Sequence, residues 1–226
     1  MRYDVSLIYV YYNTPNELNK SFDSISQASK GLSVQIIIVN NNSPKKLPSR
    51  LRGKNITIIN NSQNMGFGKG CNQGAKVAEG NILLFINPDT VLKKQAINIL
   101  LTFIKQKKKI GLLSPRMVDS SDRVLPTISK RIRLPDALII YSFLDKLFKN
   151  NITSKNFWMV ETDRTKTQYV DVVSGACLMV KKSVFDRLGG FDERFFMYFE
   201  EHDLCVRALK IGYRNVYYPK AEIVHL

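Results

Sequence analysis

Three carboxylates and a histidine occupy four consecutive positions, Glu200-Glu201-His202-Asp203, downstream of Ser174-Gly175-Ala176, a Gly189-Gly190 pair and Phe191, Phe195, Phe196 and Phe199. An acidic side chain held within hydrogen-bond reach of a hydroxyl can take its proton as a general base. Upstream, Asn87-Pro88-Asp89 closes an apolar run. A strand ending there aims the Asp89 carboxylate into the space beyond the sheet, where oxygen ligands suit Mg²⁺ or Mn²⁺, and Asn87 adds a neutral oxygen or a hydrogen bond. His225 closes another apolar run and offers a neutral imidazole as a metal ligand. Each feature also has an ordinary explanation. Acids in the first turn of a helix are favoured by its dipole, and Asp203 has Arg207 at i+4 as an ion-pair partner. Pro88-Asp89-Thr90 can cap a helix, and an isolated histidine is often a surface residue. Glu200 and Glu201 project about 100° apart on a helix, so one can face a crevice while the other faces protein or solvent.

The elements that must position these groups alternate along the chain. Residues 5–10 read as a strand, and Thr14-Pro15 opens a helix with apolar residues at Leu18, Phe22, Ile25 and Ala28. The β-branched run 34–39 reads as a strand buried on both faces, and 56–59 repeats that pattern. Residues 82–86 form a fourth strand, followed by a helix over 93–105 and a strand near 110–113. Strand and helix in alternation predict a doubly wound α/β sheet with parallel central strands, whose ligands bind at the carboxyl ends of the strands. The polar clusters after Val10, Val39, Ile59 and Ile86 all belong at that edge. Residues 116–133 read as loop or a short hairpin, 134–148 as an amphipathic helix, and 168–181 as strand interrupted at Ser174-Gly175. Helices over 182–188 and 200–211 complete the chain before the strand that ends at His225. The aromatics at 191–199 predict a loop folded tightly over a pocket. Glycine-rich 64–74 fits neither GxxxxGK[ST] nor GxGxxG, although glycines before a helix still let the backbone approach a ligand or a strand closely.

At 226 residues with 44% hydrophobic content, the chain can bury a core. No run nears the roughly 18 apolar residues that span a bilayer, and the N-terminus lacks the layout of a secretory signal. Cys71, Cys177 and Cys205 lack metal-ligand spacing and read as buried, reduced thiols, as in a cytoplasmic protein. Thirty-four Lys and Arg against 19 Asp and Glu give a net charge of +15, partly clustered at Lys105, Lys107, Lys108 and Lys109 and at Lys130, Arg131 and Arg133. Such a field favours anionic partners, either phosphorylated substrates or the inner face of an anionic membrane. Nucleic-acid binding would call for aromatic and basic residues interleaved on an exposed sheet, and the aromatics cluster at 191–199 instead.

In chain order, 5–13, 36–43, 64–74, 84–90 and 172–225 resemble the family 2 glycosyltransferases, particularly their bacterial rhamnosyltransferase-like branch. The resemblance implies the GT-A fold, an α/β domain with a Rossmann-like, mostly parallel central sheet, helices on both faces and a small acceptor-side extension. It divides the domain into a nucleotide-sugar-binding half, 1–115, and an acceptor-binding half, 116–226. It implies inverting, metal-dependent transfer of a sugar from a dTDP- or UDP-sugar to a lipid-linked or glycan acceptor in cell-surface polysaccharide synthesis. Carried over by position, Tyr12, Asn13, Asn64, Gly66 and Asn87 lie at the nucleotide. Asn40 stands where the family usually has an aspartate contacting the base, and an amide can donate where a carboxylate only accepts. Asp89 and His225 become the metal residues, Glu201 the general base and Asp203 the second acid of its motif, with Glu200 beside them. The chain ends one residue after His225, where members of the family usually continue, so either a minimal acceptor region or a trimmed C-terminus is expected. A nucleotidyltransferase, or a non-catalytic binder of anionic glycan or nucleic acid on the same scaffold, would share parts of this pattern.

Overall fold

The computed structural model describes residues 3–133 and 152–226. Its spine begins with β1 (Val5–Tyr11), in which every residue is buried. Side chains alternate across a pleated strand, and here Val5, Leu7, Tyr9 and Tyr11 enter one core layer while Ile8 and Val10 enter the other. α1 (Pro15–Ala28) follows, opened by Pro15 and burying Leu18, Ile25 and Ala28. β2 (Val34–Asn40) and β3 (Ile56–Asn60) pair in parallel beyond β1. Expected to be buried on both faces, β3 is instead the half-exposed edge of the sheet. α2 (Phe67–Lys76) then leads to β4 (Ile82–Ile86), parallel to β1 on its other side.

After Asp89 the chain forms β5 (Thr90–Leu92), and α3 (Ala96–Gln106) begins later than the sequence pattern predicts. Thr90 therefore belongs to a strand, and the capping explanation of Asp89 fails; Gln95 occupies the helix cap. β6 (Ile110–Val118) continues past residue 115, the expected boundary between halves. The segment expected as loop or hairpin contains a bridge between Val118 and Val124 and a short strand, β7 (Ile128–Ser129). The amphipathic pattern over 134–148 lies outside the described residues. α4 (Ile152–Phe157), β8 (Gln168–Val170), β9 (Val172–Val173) and β10 (Cys177–Lys181) come next. α5 (Lys182–Arg187), α6 (Glu200–Lys210) and β11 (Arg214–His225) end the chain.

Among the described residues the main sheet runs β3-β2-β1-β4-β10-β6-β11-β5, with β8 on β11, while β7 and β9 form a separate ribbon. The first four strands are parallel, and β10 inserts antiparallel between β4 and β6. α1 and α3 cover one face. α2, α5 and α6 cover the other. No helix among the described residues is long and apolar enough to cross a membrane.

The α2 side of the core leaves no spare volume. A Cβ added to Gly74 would lie 2.5 Å from Cγ2 of Ile8, a β-branched side chain with little rotamer freedom on its strand. Overpacking costs ~1–3 kcal/mol and exceeds the ~1 kcal/mol of helix propensity gained on replacing glycine. With a mid-range overpacking cost of ~2 kcal/mol less ~1 kcal/mol of regained propensity, Gly74→Ala should lower unfolding stability by roughly 1 kcal/mol, a loss measurable in denaturant titrations; a raised midpoint would mean that α2 stands off the sheet.

Candidate active site

The strand ends converge as their polar clusters predict. β4 stops at Asn87, whose backbone N–H donates to the Ala176 carbonyl at 2.9 Å, and Thr90 Oγ1 donates to the same oxygen. This double tie holds the Asn87-Pro88-Asp89 turn against the Ser174-Gly175-Ala176 segment entering β10. On the far side, His225 ends β11 in register with Thr90. The His225 Nε2 and Asp89 Oδ2 atoms consequently stand 3.5 Å apart, both side chains about one-third exposed. Asp89 Oδ1 is buried without a hydrogen-bond partner. An orphaned carboxylate oxygen beside an imidazole nitrogen suits a small divalent cation, which takes one or two protein ligands and completes its shell with phosphate oxygens and water. Among the described residues no third His, Cys, Asp or Glu joins the pair.

α6 supplies the acids. Its cap, Phe199, and the preceding Tyr198 both have φ of 69°, a left-handed conformation costing about 1–2 kcal/mol per residue. Surrounding contacts hold that turn. Phe191 is buried against Phe67, Phe85 and Phe185, the Phe67 N–H donates to the Phe196 carbonyl, and the Asp203 N–H donates to the Phe199 carbonyl. The loop lies over the clefts as predicted, with Met197 and Tyr198 on the central one and Phe199 on the apolar space, but its rings are unequally buried. Phe191 alone of the aromatics there is buried, while Phe196, Tyr198 and Phe199 stay exposed.

Glu200 and Glu201 then diverge. Glu201 packs against Gly175, where an added Cβ would lie 3.3 Å from its own, and it lines both a central cleft of about 520 Å³ and an apolar space beyond it. Burial raises its pKa above the ordinary value. Glu200 is 5% exposed, with Oε2 lacking a partner. Burial first, and the Glu201 charge second, push it to about 7. Asp203 is not in the cleft. Its carboxylate pairs with Arg207 at 2.6 Å, and Arg207 also donates to the Leu188 and Gly190 carbonyls, clamping the double-glycine turn. The i+4 explanation of Asp203 therefore accounts for its position.

A second cleft opens from the central one across Asn87, Phe67 and Met197. Tyr12, Asn41, Asn64, Gly66 and Asp89 complete it. Asn13 and Asn40 do not line it. The Asn13 N–H donates to Ser43 Oγ, and the Asn40 amide is spent on Asn60 and the Ser43 N–H.

Sequence reasoning missed two organising residues. Asn41 is buried and makes four hydrogen bonds, donating to Asn64 Oδ1 and the Gly66 carbonyl and accepting from Asn61 Nδ2 and the Met65 N–H. It sits between two other asparagines, so composition hides it. His202 is buried, its pKa lowered mainly by that burial, and its Nε2 accepts from the Ile132 N–H at 3.2 Å. Its i+3 spacing from buried Cys205 was the available signal.

The model of glycosyl transferase family 2 matches residues 6–189. The chain belongs to that family. It is thus a glycosyltransferase, and its mixed sheet with helices on both faces is the GT-A fold. This family 2 chain is 26% identical over 234 residues to an N-acetylglucosaminyl-diphospho-decaprenol L-rhamnosyltransferase of Mycobacterium tuberculosis, covering 97% of the chain and 75% of the relative. It is 29% identical over 150 residues to rhamnosyltransferase WbbL of Escherichia coli, covering 66% of the chain and 53% of WbbL. Among solved structures, GalNAc-T7 with UDP, GalNAc and Mn²⁺ superposes with a TM-score of 0.68 at 12% identity, over 99% of the chain and 44% of GalNAc-T7. The mannosyltransferase PcManGT of Pyrobaculum calidifontis, with GDP-Man and Mn²⁺, gives 0.65 at 15% identity, over 99% of the chain and 57% of PcManGT. The family 2 chain thus spans about half the length of the solved structures it matches.

Glu200 makes the site pH-sensitive. Unfolding returns its carboxyl to the ordinary 4.5 from about 7, so the folded state binds the proton more tightly by ~3 kcal/mol. The sign follows: this contribution is complete below about pH 4.5 and is lost as the pH rises through about 7. Glu200→Gln, which cannot ionise, should raise the unfolding midpoint more at pH 8 than at pH 4.5. A pH-independent difference in thermal scans would contradict a buried, proton-holding Glu200.

Proposed function

We propose that this chain catalyses a single inverting displacement at the anomeric carbon of a nucleotide-sugar, passing the sugar to a hydroxyl of a lipid-linked or cell-surface glycan acceptor. The observation that carries this reading is the position of Glu201, on the wall shared by the central cleft and the apolar space beyond it. A donor lying along Tyr12, Asn64 and Gly66 would bring its anomeric carbon to the central cleft, with the acceptor entering from the opposite side. Attack from the face opposite the leaving group inverts the centre and needs one base. Two catalytic carboxylates flanking the bond would instead suit glycoside hydrolysis, and Glu200 is too buried to form such a pair.

Glu201 takes the acceptor hydroxyl proton as the oxygen bonds to the anomeric carbon and the bond to the nucleoside diphosphate breaks. Its raised pKa makes it a stronger base than a solvent-exposed carboxylate, at the expense of protonation at higher pH. Asp89 and His225 would hold Mg²⁺ or Mn²⁺, which when bound neutralises charge on the leaving diphosphate as a Lewis acid. Asn87, on the wall shared by the two clefts, is placed to hydrogen-bond the sugar or its phosphate. The mycobacterial and E. coli relatives, both named rhamnosyltransferases, support rhamnose carried by dTDP as the donor. The surplus of basic residues supports work at the cytoplasmic face of an anionic membrane.

Nucleoside diphosphate release from a donor panel with Mn²⁺ tests the reading. Glu201→Gln should lower transfer by roughly 10²–10⁴-fold while leaving donor affinity unchanged, and wild-type rates in that variant would remove Glu201 as the base. In the wild type, transfer should fall as the pH drops, with a midpoint above the ordinary glutamate value of 4.5. Asp89→Asn should weaken Mn²⁺-dependent binding of the nucleoside diphosphate at least tenfold in calorimetry and leave metal-free binding unaltered. Pyrophosphate as the released product would point instead to a nucleotidyltransferase.

A further inference from the structure

The last strand reaches the site only after a break. β11 runs parallel to β6 as far as Tyr218, which faces Pro115, and pairing resumes with Glu222 facing Arg116. Residues 219–221 are extra to that pairing. Proline has no N–H to give a ladder, and Pro115 and Pro219 stand on the two strands where the pairing stops. A bulge re-aims the side chains beyond it, and here they are those of residues 222–225, which carry His225 to its place opposite Thr90. The apolar fit of this short segment fixes its register weakly. A slip of one residue would set Val224 in the core slot of Ile223 and Leu226 in the place of His225. Valine for isoleucine removes a single methylene from the core, and the spare residues of the bulge can take up the shift.

Glu222 resists that slip. Its carboxylate pairs with Lys93, the residue after β5, and at 3.3 Å with Arg116 on β6, while its carbonyl accepts from the Lys93 N–H. One residue thus ties β11 to both strands that flank it here. In the slipped register Ile223 would lie between the two cations and leave them without their carboxylate. The Glu222 and Arg116 side chains are 24% and 29% exposed, so salt screens this pair less than one on the open surface. Charges in such surroundings are better attested as a device for register than as a source of stability. We propose that Glu222 is a positioning residue for His225: by holding Lys93 and Arg116 it fixes the register of residues 222–225 and keeps the imidazole beside Asp89. This rests on the reading of Asp89 and His225 as the metal pair. Among the described residues Glu222 joins no cluster of metal-ligating side chains, so it acts through His225 and not on the cation.

Two measurements on the full chain test this role. Hydrogen exchange needs no ligand: in E222Q the amides of residues 223–226 should exchange about tenfold faster than in the wild type, while those of β10 keep their protection. Calorimetry with dTDP, with and without Mn²⁺, isolates the metal-dependent part of binding. E222Q should weaken Mn²⁺-dependent binding about tenfold and leave metal-free binding unaltered. H225Q should do the same, and E222Q/H225Q should bind no more weakly than H225Q alone, since one residue acts through the other. D122N, which removes only the exposed partner of Lys93, should match the wild type in both measurements. Should E222Q not fold, K93Q and R116Q, each expected to lose about threefold, take its place. Wild-type exchange at 223–226, an equal loss of metal-free binding, or losses that add in the double variant would overturn the positioning role. If exchange quickens in E222Q while H225Q binds dTDP with Mn²⁺ like the wild type, Glu222 sets the register and the metal reading falls.

Discussion

The site depends on one register, the antiparallel pairing of β10 with β4 that sets Cys177 opposite Ile86. From that pair the two chains leave the sheet together, and the Asn87 N–H and the Thr90 hydroxyl share the Ala176 carbonyl. Everything chemical is a short step away. Asp89 is two residues beyond Asn87, and Gly175 forms the surface on which Glu201 rests. A slip of one residue would turn every β10 side chain to the opposite face, burying what now lines the cleft. Cys177 and Met179 pack into one core layer and Leu178 and Val180 into the other, so the fit of each side chain to its own layer, rather than any polar contact, sets the distance between Asp89 and Glu201.

Within that frame, burial separates four acidic residues into different tasks. Asp89 keeps one orphaned oxygen beside His225. Glu201 is buried enough to become more basic while still facing the cleft. Glu200 is buried further and holds its proton up to about pH 7. Asp203 is neutralised by Arg207 and serves the glycine turn. One helical turn thus presents a cleft-facing carboxyl, a buried carboxyl and an ion-paired carboxylate, distinguished by surroundings and not by residue type.

The parallel half of the fold was legible because buried strands in α/β sheets are written as unbroken β-branched runs, and 34–39 and 82–86 are such runs. The same rule misjudged β3, since an edge strand flanked on one side only can carry the same isoleucines. It also missed β5, which is three residues long and owes its existence to β11 rather than to its own sequence. For the site, Glu201 and His225 line the central cleft and Asp89 the cleft that opens from it, the neighbourhood that the strand-end clusters point to. Asn40 spends its amide on Asn60 and the Ser43 N–H, and the Asn13 backbone N–H goes to Ser43, contacts that no residue pattern announces. Asn41 was hidden because its partners come from residues 61–66, and His202 because its partner, the Ile132 N–H, lies far away in the chain, its i+3 spacing from Cys205 being the one local trace.

The loop ahead of α6 has one end fixed by Phe191 among three other rings and the other by the helix, while Phe196, Met197 and Tyr198 are exposed, Met197 at the rim of both clefts and Tyr198 on left-handed backbone. Those three side chains contribute almost nothing to the core. They can therefore be exchanged without refolding the domain or moving Glu201. Descendants of one scaffold could in that way acquire different sugars and acceptors by rewriting a tripeptide.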